Sequence, residues 1–289
     1  MAAVAERGGA VRAARRIGRA VRRHPLGALA LTALMGMALA ALFAEQLAPY
    51  DPLAHDEANA LSGPSAGHLF GTDRFGRDVF SRVLYGARLS LLVGLVSVLT
   101  GTVIGTAIGV VSAYASGVAD LLIQRIVDAL MAFPHLLMAL LLVVVLEPSA
   151  GSVIIGIVAA FVPQIARIAR AQALAVRAEP YVMAAQALGG SPARVAARHV
   201  LPNSIAPVII HATGFMEGAV LTEAALSFLG LGVPPPDPSW GRMLKEGSEG
   251  YLEAAPWLTL FPGLALTALV FCVALIGDAL RDCLDPRQR

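Results

Sequence analysis

The chain has 289 residues, 57% of them hydrophobic and 15% charged, with a formal net charge of +2 and a mean hydropathy of +0.70. No soluble domain of this length needs so much apolar material for one core, so the composition excludes a single soluble domain and predicts an all-α, polytopic membrane protein. The two cysteines, Cys272 and Cys283, fall on one predicted helix too far apart to bridge, and no nucleic-acid partner is expected.

Residues 1–25 form a basic leader, with Arg12, Arg15, Arg16, Arg19, Arg22 and Arg23 ahead of the first apolar run. Val11, Ala14, Gly18 and Val21 lie opposite the arginine face at helical spacing, so the leader either rests on the anionic inner leaflet or acts only as a topology signal. Runs of roughly 20 apolar residues, enough to cross a bilayer, then predict six spans: Leu26–Ala48, Leu89–Ala113, Ile123–Leu146, Val153–Ala173, Ile205–Leu231 and Trp257–Leu280. The first run continues past Ala38-Leu39-Ala40 and exceeds a signal-peptide core, so it is read as a retained helix. An even number of spans leaves both termini on one side. Basic residues are retained in the cytoplasm, and the leader arginines, Arg177, Arg194 and Arg198, and Arg281, Arg287 and Arg289 all fall on one face. Both termini, including the tail 281–289, are therefore expected in the cytoplasm of an inner-membrane protein, with 49–86 and 232–256 outside.

Within the spans, Gly101, Gly105 and Gly109 make a ridge of small residues suited to close helix packing. Pro134, after Asp128 and Phe133, is expected to kink or start the third span. Carboxylates at membrane depth cost about 2.5–3.5 kcal/mol on insertion scales and need a partner or a wet cavity. Glu217 and Glu223 are the candidates; their spacing puts them on different faces, and each either lines a pathway or hydrogen-bonds to another subunit. His55, Asp56, Glu57 and His68 match no standard metal spacing, and no metal site is expected. Lys245, the only lysine, precedes Glu246, so no phosphate loop exists. Any ATP-driven work must come from a separate subunit.

Residues 177–203 carry the main functional signal. Pro180 fits the first turn of a short helix, Gly189-Gly190 a stop, Ser191-Pro192 an N-cap and first helical position, and Pro202 an end near Val200. This predicts a cytoplasmic helical hairpin whose first helix bears Tyr181, Ala184, Ala185 and Leu188 as an apolar, small-residue stripe.

Ala184, Ala185, Gly189, Leu201 and Pro202 resemble, in register, the EAA loop of bacterial ABC-importer permeases. Met183 departs from that pattern, standing where the family usually has Glu. Three further stretches are similar to the C-type permeases of dipeptide, oligopeptide and nickel ABC importers: His68–Ser90, Glu223–Leu244 and Gly277–Pro286. Ala274 departs too, where the family often has Asn.

The resemblance implies a type I ABC importer permease core over 87–280, working with a homologous second permease, two ATP-binding subunits and an extracytoplasmic substrate-binding protein. This chain would be non-catalytic and bind no cofactor; ATP and Mg would sit on the partners. Tyr181, Met183, Ala184, Ala185, Leu188, Gly189, His199, Leu201 and Pro202 would form the ATPase-coupling loop. Asp73, Arg74, Arg77, Asp78 and Trp240 would meet the binding protein, cap and orient the span entrances, or do both. Di- or oligopeptides are the expected cargo, with nickel, glutathione or another small solute as alternatives. A nucleotide-independent transporter using Glu217 or Glu223 is a further alternative, although no internal repeat supports it. An intramembrane enzyme built on Ser204 and His211 lacks an acidic orienting residue.

Overall fold

The computed structural model describes residues 24–115 and 117–284; the leader arginines, Arg287 and Arg289 lie outside the described residues. In chain order the helices are α1 (Pro25–Leu42), α2 (Ala44–Leu47), α3 (Val79–Ala115), α4 (Gly117–Met131), α5 (His135–Leu146), α6 (Ala150–Arg177), α7 (Pro180–Ala187), α8 (Pro192–Val195), α9 (Leu201–Phe228), α10 (Trp240–Ser248) and α11 (Trp257–Leu284). The all-α expectation holds, with one isolated bridge, Thr72 to Asp78, among the described residues. Five helical stretches are long and apolar enough to cross a membrane, and a sixth crossing is made if the bent pair α4–α5 counts as one.

The spans shift from their sequence-based bounds, and for three of them the contacts or the bend show why. The first helix ends at Leu42 rather than Ala48, because Arg88 of α3 donates to the terminal carbonyls of Ala41, at 2.6 Å, and Leu42, at 2.9 Å; a guanidinium there satisfies orphan acceptors and suits the negative end of the helix. Helix α3 begins ten residues before Leu89, at Val79. Asp78 caps it by accepting from the Ser81 backbone N–H at 2.8 Å, and Ser81 and Arg82 are buried there instead of belonging to a solvated loop. The third span is not one helix: α4 and α5 meet at 89°. Pro134 supplies no amide and holds an extended backbone at the head of α5, so the helix cannot run through.

The long helices pack around α3 and α6. The glycine ridge lies against α6: a Cβ on Gly105 would fall 2.7 Å from the Ile165 Cβ, and one on Gly109 would fall 2.4 Å from the Ala166 carbonyl oxygen. Only bare backbone permits that approach. One core joins Val79, Val83, Val220, Trp240, Leu258 and Leu269, and a smaller one at the other end joins Ala113, Ala173, Val182, Val195 and Val200. The second core anchors the hairpin.

Candidate functional site

Helix α7 starts on Pro180 after the extended residue Glu179 and stops where Gly189 takes φ +85°, the left-handed conformation that favours glycine. The Gly190 amide then returns to the Ala185 carbonyl at 3.1 Å. Val182 is fully buried against α3, α6 and α8. The rest of α7 faces outward: Tyr181, Met183 and Leu188 are 46%, 52% and 89% exposed, and Ala184 is exposed beside them. Ala185 and His199 are half-buried, and the His199 ring stands edge-on to Tyr181, 6.5 Å between centroids. The hairpin base is tied down by Arg177, which donates to the Ala113 carbonyl at 2.7 Å and lies over the Tyr114 ring.

One expectation is corrected here. Pro202 does not end a helix near Val200. From Pro192 the chain stays helical to Phe228, 37 residues, passing through a π turn at Ala196–Val200. Pro202 falls in the first turn of α9, where its missing amide coincides with the widened turn, so the proline is absorbed rather than terminating. Leu201 and Pro202 remain exposed, and the hairpin is thereby continuous with a membrane-crossing rod.

Near the other end of that rod, Glu223 is 1% exposed and accepts from Ser90 of α3 at 2.9 Å and Ser227 at 2.8 Å. Both of these hydrogen-bond partners lie in its own chain. Glu217 is half-buried in the same helix. The structure does not bring Glu217 and Glu223 together. Pro134 forms the α4–α5 corner, and α4 is held across α6 by Asp120, which accepts from Arg170 at 2.8 Å, and by an Asp128–Arg167 ion pair. His135, at the corner, contacts Gln164 and stacks on Phe161. Sequence reading missed these pairs, since one charge in each sits in a different helix; the acidic residues opposite an arginine-bearing α6 were the available signal.

The residues Asp73, Arg74, Arg77, Asp78 and Trp240 divide by burial. Asp73, Arg77, Asp78 and Trp240 are buried, and of the five only Arg74 is exposed. Asp73 binds Arg77 Nε at 2.6 Å, Glu246 of α10 receives Arg77 at 3.3 Å and Arg82 at 3.1 Å, Asp78 meets His68 at 2.9 Å, and the Trp240 indole donates to the Val83 carbonyl at 2.9 Å. These groups clamp the segment before Val79 onto the ends of α3 and α10. Burial holds the Arg242 guanidinium below its ordinary value, against the opposing pull of Glu246.

Comparison with known proteins fits this architecture. Residues 101–289 match the family described as binding-protein-dependent transport system inner membrane component, and residues 14–64 match the N-terminal TM domain of oligopeptide transport permease C. A dipeptide transport system permease protein, DppC, of Alkalihalophilus pseudofirmus is 41% identical over 93% of this chain and 88% of its own length. The chain belongs to this permease family. A putative peptide transport system permease protein of Brucella abortus is 43% identical over 94% of this permease and 91% of its own length. The glutathione transport system permease protein GsiD of Pectobacterium atrosepticum is 38% identical over 94% and 90%. Among solved structures, an inward-facing MetNI methionine ABC transporter chain superimposes with a TM-score of 0.59 at 18% identity, covering 71% of this permease and 97% of that chain; at that identity the likeness concerns the fold alone.

Proposed function

We propose that this permease forms half of the translocation pathway for di- or oligopeptides in an ATP-driven importer. A homologous second permease would supply the other half, two ATP-binding subunits holding ATP and Mg would lie beneath the hairpin, and an extracytoplasmic binding protein would deliver the cargo. The observation that carries the reading is the hairpin: α7 leaves Tyr181, Met183 and Leu188 uncovered while its base continues into the 37-residue rod. An uncovered apolar helix fits a groove on a partner, and a rod rooted in it can convey the partner's movement across the membrane. Met183 replaces the usual acidic position, so docking here rests on apolar contact. The dipeptide and peptide names of the relatives support the cargo class, and the arginine distribution supports cytoplasmic termini.

Energetically, ATP would enter as a differential stabilisation of two arrangements of the spans. The test is to purify the tagged chain from its host in mild detergent, identify stoichiometric partners, and assay the complex in proteoliposomes with a dipeptide series, glutathione and nickel. Recovery of a second permease and Walker-containing ATPases, with ATPase activity stimulated by peptide and binding protein, is expected. Stimulation by glutathione alone would replace the cargo, and a chain that transports with no nucleotide-binding partner would overturn the reading.

A further inference from the structure

Helix α9 is covered around most of its circumference. Gly94 of α3 lies against Met216 and Val220, Phe161 of α6 against Gly218, Gly241 of α10 against Ala224, and Gly277 of α11 against Thr213. One strip is left open. Gly214, Glu217, Leu221 and Phe228 follow one another along it at helical spacing; Gly214, Leu221 and Phe228 are exposed and Glu217 is half-buried, and a Cβ on Gly214 would meet nothing within 4 Å. Glu217 stands 228 − 217 = 11 residues from the end of α9, about 16 Å along the axis, which is near the middle of a hydrocarbon layer about 30 Å thick. Unlike Glu223, which holds Ser90 and Ser227, it has no hydrogen-bond partner among the described residues.

An ionisable group at that depth faces water or a partner, not lipid. The uncovered side of α3 presents Leu92, Leu95, Leu99 and Val103, a surface suited to acyl chains. Around Phe161, which touches Gly218 and stacks on His135, the uncovered groups are polar instead: His135 and the Asp128–Arg167 pair are exposed, and Gln164 is half-buried. His211 of α9 is exposed as well. Polar side chains turned outward by α4, α5, α6 and α9 suit a wet wall. Asp128 has its guanidinium, whereas Glu217 has none, and α11 adds a second carboxylate, Asp278, next to the Gly277 that touches Thr213 one turn before Glu217. The wall is therefore negative where the strip crosses mid-membrane. We infer that this face lines the aqueous pathway and that Glu217 is a cation subsite on it, favouring peptides with a lysine or arginine side chain. A zwitterionic dipeptide has no net charge, so a lone wall carboxylate acts chiefly through the side chain. The inference rests on the reading of this chain as half of a peptide pathway, and it puts the selecting charge on the same rod that the hairpin moves.

Two measurements on the full chain with its co-purifying subunits test this. In nanodiscs, Gly214→Cys, Glu217→Cys and Leu99→Cys, each combined with Cys283→Ser, are treated with a charged, membrane-impermeant thiol reagent. Reaction at positions 214 and 217 but not at 99 is expected. Equal silence at all three overturns the aqueous wall, and a cross-link from position 217 to the second permease does so too, since a neighbouring helix would then cover the strip. In proteoliposomes, kcat/KM for ATP-driven uptake is compared for Lys-Ala and Glu-Ala, a ratio from which the binding protein's own preference cancels between variants. Glu217→Gln should lower the ratio of Lys-Ala to Glu-Ala by about fivefold, Glu217→Lys should lower it further, and Glu217→Asp should keep most of it. An equal fall for both peptides means a structural role and overturns the subsite while the peptide importer stands. A wild-type complex that hydrolyses ATP but moves no dipeptide overturns the peptide importer and the subsite together.

Discussion

Glu223 shows how one residue ties distant chain segments. Its carboxyl holds Ser90, 133 positions earlier, and Ser227 one turn on. Glu223→Ala leaves two buried hydroxyls and a cavity, an expected loss of about 2–4 kcal/mol, whereas Glu223→Gln keeps an acceptor and should retain most of the stability; thermal unfolding of the two variants in nanodiscs reads the difference. Gly189, at φ +85° with open space around it, is strained by any branched side chain without a clash. Gly189→Val should therefore lower peptide uptake while the partner ATPases stay active, and Gly189→Asn, which tolerates that backbone, should restore much of the coupling; the measured ratio of uptake to ATP hydrolysis decides. Both residues were visible in the sequence, one as a charge in an apolar run and one as a helix stop. The burial of Asp73 and Arg77 was not. It depends on Glu246, 169 positions beyond Arg77, and nothing local to residues 73–78 marks them as covered.

At the level of helices, periodicity and apolar length marked where each crossing lies, but not how far it extends or whether it bends. Helix α3 runs ten residues further outward than its apolar run because Ser81, Arg82 and Arg88 find partners in other elements, and a polar residue with a partner looks in sequence like a loop residue. Pro134 and Pro202 read alike as breaks. One turns the chain by 89° and the other sits inside a continuous helix, the difference being the π turn that precedes the second. The glycine ridge was legible because its spacing alone specifies a face. Gly109→Ala would press a methyl against a backbone carbonyl and should cost about 1–3 kcal/mol. Gly36→Ala, with nothing within 4 Å, should be neutral or slightly stabilising; comparison of the two melting temperatures checks the packing.

Across the whole molecule, the external segment is fastened to the helical body by Arg77 and Arg82 on Glu246, by the Trp240 indole on Val83 and by the Trp257 indole on the Thr72 carbonyl at 3.1 Å. Glu246→Ala takes one of two carboxylates from the buried Arg77 and Arg82, leaving them Asp73, and should cost about 2–3 kcal/mol. It should also expose Arg77 to trypsin added outside spheroplasts, with faster cleavage than in wild type. The rod from Pro192 to Phe228 has a further consequence. It bears on Phe161 of α6 at Gly218, where a Cβ would fall 2.8 Å from the ring. That contact divides it into arms of 218 − 192 = 26 and 228 − 218 = 10 residues. If that contact served as a pivot, the rod would act as a lever with a ratio of about 2.6. A hairpin swing of about 5 Å, the scale of a one-turn shift, would arrive at Phe228 as about 2 Å and at Glu223, halfway along the short arm, as about 1 Å, with the force multiplied in the same proportion. A rod pivoted so would trade displacement for thrust at the end that carries Glu223.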